Sequence, residues 1–177
     1  GAPVAVVDAG ELTAIRTASA SAAATDALAR SDSTRLAVLG TGEQARRHIE
    51  AIHHVRPIER VTVWGRDSAK AMALAEAVGA ATAPTVAEAV AEADIVCTTT
   101  ASPEPILFAR DVPDGAHLNL VGSSRAGPAE VDDELVARVR LIADHRDGVL
   151  AQGAEFLLAK AAGLVDDDHV VGEIGQV

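Results

Sequence analysis

The stretch Gly40-Thr41-Gly42-Glu43-Gln44-Ala45 carries the strongest chemical signal in the chain. It fits the pattern G-x-G-x-x-G/A. Gly40 permits a tight turn, Gly42 lets a pyrophosphate approach the backbone, and Ala45 lets the following helix pack close to a strand. Thr41, Glu43 and Gln44 complete the turn and bring free N–H groups toward the phosphates, where a helix N-terminus favours anions. The expected chemistry is dinucleotide binding. Arg66, at the tip of the next apolar run, stands where NAD-selective sites place a carboxylate for the ribose 2′-OH. A guanidinium there suits a 2′-phosphate and predicts NADP(H) over NAD(H). Otherwise Arg66 is a solvated cation beside Asp67. Thr98, Thr99 and Thr100 follow a later apolar run and could bond ribose or nicotinamide, although Thr98 reads first as a strand residue. Gly122, Ser123 and Ser124 follow the next run and are expected near the nicotinamide end.

Other reactive residue types form no such pattern. His48, His53 and His54 lie on or beside one helix with no Cys or acidic ligands grouped around them, so no metal site is expected. His117, His145 and the Asp166–His169 run read as structural or solvated. Cys97 is the only cysteine and reads as a small buried residue.

These groups need a scaffold, and the apolar pattern supplies one. Runs at 36–39, 61–64, 95–98, 117–121 and 139–143 alternate with helical patterns at 43–54, 68–78, 86–93 and 130–138. That alternation predicts βαβ units and an α/β fold, a doubly wound Rossmann-type parallel sheet with helices on both faces. A short strand is expected at Pro3–Asp8, an Ala-rich helix at Glu11–Arg30, and a late helix at 154–162 followed by a polar tail. The expected division is 1–30 as a strand and helix linking to a further substrate or dimerisation domain, 31–165 as the dinucleotide-binding unit, and 166–177 as a return segment.

Composition agrees. Of 177 residues, 49% are apolar but only 2% aromatic, so the core must be aliphatic. The net charge of −11 repels nucleic acid and anionic membranes. No run approaches the ~18 apolar residues of a membrane span, and no signal peptide is evident. A cytoplasmic protein is expected.

The segments Leu12–Ala22, Leu39–His48, Val61–Arg66, Ala93–Thr100, His117–Asp132 and Gly172–Gly175 together resemble the ornithine cyclodeaminase/mu-crystallin family, in its order and spacing. The resemblance implies a Rossmann-type domain of an NAD(P)-dependent oxidoreductase for small amino acids or cyclic imines, homodimeric in the full-length parent. It implies that Arg16 binds the substrate carboxylate and that Arg66 reads the 2′-phosphate. Ser124 falls where cyclodeaminases carry a catalytic Asp, and Pro128 where they carry Lys. A serine cannot replace a carboxylate as acid/base near neutral pH. This speaks for imine reduction or amino-acid oxidation over conversion of ornithine to proline and ammonia. The alternative is a non-catalytic NADP(H)-binding protein of mu-crystallin type. Asp144 and Glu155 are candidate replacement carboxylates by chain order alone. The family's upstream region, with a further substrate Arg and a catalytic Lys, is not in these 177 residues.

Overall fold

The computed structural model describes residues 3–6, 8–122 and 127–177. Ser123 and Ser124 therefore lie outside the described residues.

Five short runs of β-branched and aliphatic residues form one parallel sheet: β1 (Arg35–Leu39), β2 (Arg60–Trp64), β3 (Ala81–Thr82), β4 (Ile95–Thr98) and β5 (His117–Leu120). Their order is β3-β2-β1-β4-β5, which places β1 at the centre. Val38 stands opposite Val63 on one side and Cys97 on the other. Strand side chains alternate between faces. Leu36, Val38, Val63, Ile95 and Cys97 pack beneath α1 (Gly10–Leu28), α2 (Glu43–His53) and α3 (Ser68–Val78). Ala37, Leu39 and Val96 face α4 (Val86–Val90), α5 (Asp133–Arg138) and α7 (Ala154–Ala161). The sheet is thus covered on both faces, as its unbroken apolar strands require.

Local signals explain the element ends. Asp67 accepts N–H bonds from Ala69 and Lys70 and caps α3, which ends on a left-handed Gly79. Thr85 and Asp132 cap α4 and α5 in the same way. α5 consequently begins at Asp133, not at the expected residue 130.

Three expectations need correction. Residues 3–6 form no strand; Val4 and Val6 are almost fully exposed, with no neighbouring strand to pair with among the described residues. The run at 139–143 does not extend the main sheet. Its strand, β6 (Leu141–Ala143), pairs in parallel with β7 (Val170–Glu173) in a separate two-stranded sheet. β7 lies in the segment read as a polar tail, and α6 (Arg146–Gln152) precedes α7 without having been expected.

α1 precedes the sheet in the chain yet is bound to it firmly. Its buried stripe of Ala14, Ala18, Ser21, Ala22 and Thr25 lies against α2 and β5. The small residues let the helix backbones approach. Arg56 closes the C-terminal end of α1, its guanidinium donating to the carbonyls of Thr25, Asp26 and Ala29, each at 3.0 Å. Arg30 reaches across to Asp94 (2.8 Å) and to the Gly115 carbonyl (2.8 Å). Asp94 also accepts from Arg35 and from the N–H of Thr34. The Arg35 guanidinium is the main cause holding its carboxyl well below the usual range.

Candidate cofactor site

The parallel sheet directs every crossover loop at its carboxyl edge into one crevice. A cleft of about 350 Å³ opens there, lined from the β1 turn by Gly40, Thr41 and Gly42. Trp64, Gly65, Arg66 and Lys70 line it from β2 and α3; Thr99, Thr100 and Ser102 line it from the loop after β4. A second hollow, about 310 Å³, lies at the opposite strand ends near Arg35, Arg60 and Glu92. Arg60 and Glu92 pair there at 2.9 Å, and no turn of helix-opening glycines faces it.

Gly40 and Gly42 have different jobs. Gly40 adopts φ +136°, and a Cβ there would come within 2.4 Å of Thr99 Oγ1 and 2.7 Å of the Thr99 carbonyl oxygen. It therefore locks the β1 turn against the β4 loop. Thr99 completes that contact, donating its hydroxyl to the Leu39 carbonyl at 3.0 Å. At Gly42 a Cβ would meet nothing within 4 Å. That empty side of the backbone lies at the start of α2, whose N-terminus no side chain caps. Its first N–H groups stay available to an anion. The cleft therefore fits a pyrophosphate by shape and by donor set.

The side chains of Glu43 and Gln44 turn elsewhere. Glu43 pairs with Arg46 (3.1 Å) and Arg47 (2.8 Å) on the outer face of α2. Those two cations hold its carboxyl below its ordinary range. Gln44 donates to the Thr13 carbonyl of α1 at 3.4 Å. Only their backbone N–H groups are left at the open start of α2. Thr98 is completely buried at the end of β4 and does not line the cleft. Arg16 is exposed on α1, with no side-chain hydrogen bond or ion pair among the described residues.

Arg66 is exposed at the cleft rim and makes no ion pair with Asp67, whose carboxylate is occupied in capping α3. Lys70, in the first turn of α3, adds a second cation to the same rim. No motif marks it.

At the other end of the cleft, Glu130 is buried to 2% exposure. It accepts from the Thr100 N–H at 2.7 Å and from the Thr100 hydroxyl. Its own N–H donates to Glu155 Oε1 at 3.2 Å. Burial, and then the charge of Glu130, raise the Glu155 carboxyl above its ordinary value. Glu155 is thus set behind Glu130, while Asp144 is exposed and bonded to the N–H of its neighbour His145.

The reactive-looking groups inside the core are inert. Burial pushes the Cys97 thiol up to about 12, so it carries no thiolate. His48 is fully buried, with Nδ1 2.7 Å from the Gln44 carbonyl and Nε2 2.9 Å from Ser21 Oγ. A carbonyl can only accept, so Nδ1 carries the proton and Ser21 donates to Nε2.

The model of the ornithine cyclodeaminase/mu-crystallin family matches residues 1–177. The chain belongs to that family. Among its relatives, the mouse ketimine reductase mu-crystallin is 37% identical over 179 residues, covering 100% of this chain and 55% of its own length. The Δ1-pyrroline-2-carboxylate reductase of Thermococcus litoralis, solved with NADH and L-proline, superposes with a TM-score of 0.93 at 31% identity, over 100% of this chain and 57% of that one. The iminosuccinate reductase of Paracoccus denitrificans, solved with NAD+, gives 0.85 at 31% identity, over 94% and 52%. The chain spans about half the length of these ornithine cyclodeaminase/mu-crystallin family relatives. Among the described residues no helix is long and apolar enough to cross a membrane.

Proposed function

We propose that this chain is the NAD(P)(H)-binding half of an oxidoreductase that acts on a small amino acid or cyclic imine. The observation that carries this reading is the uncapped start of α2 beneath the open side of Gly42, at the carboxyl edge of a family-typical sheet. Relatives solved with NADH and NAD+ support it. The nicotinamide supplies or takes a hydride at C4 when bound. Gly42 and the first N–H groups of α2 would hold the pyrophosphate. Arg66 and Lys70 would take a ribose 2′-phosphate, which favours NADP(H) over NAD(H). Thr99 and Thr100 would border the nicotinamide side. Arg16 would bind the substrate carboxylate, and Ser124 would lie near the reacting end. The parent would be a homodimer.

Imine reduction fits better than ornithine cyclodeamination, because the resemblance sets Ser124 where cyclodeaminases carry a catalytic Asp, and Pro128 where they carry Lys. The same replacements favour a second reading, a cofactor-binding protein without turnover. The test is a titration of the full-length parent with NADPH and NADH, followed by addition of Δ1-pyrroline- or Δ1-piperideine-2-carboxylate. Binding with substrate-dependent oxidation of the cofactor is expected. Binding without oxidation selects the second reading, and no binding of either cofactor refutes both.

A further inference from the structure

Glu130 is a buried carboxylate with no cation beside it among the described residues. A second carboxylate, Glu155, accepts from the Glu130 backbone N–H. A buried carboxylate is kept in a fold for the groups that its oxygens bond.

The reason lies in what it touches. Oε1 takes both the N–H and the hydroxyl of Thr100, which lines the cleft after β4. Among the described residues Oε2 has no hydrogen-bond partner, and it presses on Gly122, at the turn after β5. A Cβ on Gly122 would come within 2.0 Å of the Glu130 carboxyl carbon. Glycine is therefore required at 122 for Glu130 to reach Thr100. The strand order places the glycine turn at the centre, Arg66 and Lys70 to one side, and Thr100 and Gly122 to the other. In a doubly wound sheet that far side receives the nicotinamide half.

The geometry points to Glu130 as a positioning residue that clamps the β4 loop against the β5 turn and sets the nicotinamide end of the cleft, with Gly122 as the small residue that admits it. This rests on the cofactor reading above. Glu130 acts through Thr100 and Gly122 and touches no reacting atom.

Binding of whole and half cofactors tests it. The probes are the tighter of NADPH and NADH, and the matching ADP-ribose half without nicotinamide, titrated against this chain by Trp64 emission and calorimetry. Loss of a hydrogen bond to a charged group predicts that Glu130→Ala loosens the whole cofactor roughly tenfold and the half about twofold or less. Gly122→Ala should give the same split, and should add nothing in the Glu130→Ala background. Glu130→Gln keeps an acceptor of the same length and should stay within about threefold of the parent. Should Glu130→Ala fail to fold, Thr100→Val removes one donor and must show the same bias toward the whole cofactor. Equal weakening of both probes, or no change in either, overturns the inference. Failure of the unmutated chain to bind either probe overturns the cofactor reading along with it.

Discussion

Replacing Gly42 with alanine separates what the glycine turn does for the fold from what it does for a ligand. Gly42 has φ −88° and ψ −171°, extended backbone that alanine adopts freely. The new methyl would meet no protein atom within 4 Å. Restricting the unfolded chain should stabilise by about 0.4–1 kcal/mol. Alanine is poorer than glycine at an N-cap by a similar amount, roughly 0.5–1 kcal/mol. The urea midpoint should therefore stay nearly where it was. The methyl would occupy the space through which a pyrophosphate reaches the α2 N–H groups. Weakening one charge-assisted bond there costs about 2 kcal/mol, roughly thirtyfold in Kd. Gly40→Ala should do the reverse. At φ +136°, with Thr99 Oγ1 2.4 Å from the added carbon, it should destabilise the fold by about 2–4 kcal/mol. The assay is a titration with NADPH and NADH followed by emission of Trp64, the sole tryptophan and a wall of the cleft. Urea unfolding runs in parallel. Unchanged cofactor affinity in Gly42→Ala would refute the reasoning, as would a loss of stability equal to that of Gly40→Ala.

Arg66→Ala should weaken NADPH roughly tenfold and NADH hardly at all, because an exposed cation contributes about 1.5 kcal/mol to holding a 2′-phosphate; equal weakening in the same titration removes Arg66 from the site. Stability should fall as pH drops below about 6.5, because burial lowers the pKa values of His48 and His117, so the unfolded chain takes up protons there that the folded chain refuses. Glu155 works against this slope, since its raised pKa favours the folded state at lower pH. Urea midpoints at several pH values should show the fall, and His48→Gln should flatten it.

How much of this could be read from the residues depends on how local each signal is. α3 was legible at both ends because Asp67 and Gly79 mark it within the segment itself. β4 was legible because Ile95, Val96 and Cys97 are apolar without alternation. The β6–β7 pair was not. Its partners lie some thirty residues apart, and Val170–Glu173 shows no strand period of its own. The glycine turn gave the site's centre. Lys70 was missed because it reads as an ordinary exposed helix cation, and Glu130 because its link to the cleft runs through Thr100, thirty residues away in the chain. Glu130 reads as the opening of a helix, yet its partners are Thr100 and Gly122.

The attachment of α1 has a consequence for assembly. The helix leaves the ribosome ahead of the whole sheet, but its fasteners come late in the chain. Arg56 caps it, Arg30 waits for Asp94 and Gly115, and Thr25 waits for the amide of Asn119, 94 residues further on, at 3.0 Å. Contacts of such separation form slowly, since the loop between them must close first. Until β5 is in place, the alanine stripe of α1 therefore has only α2 and Arg56 to hold it.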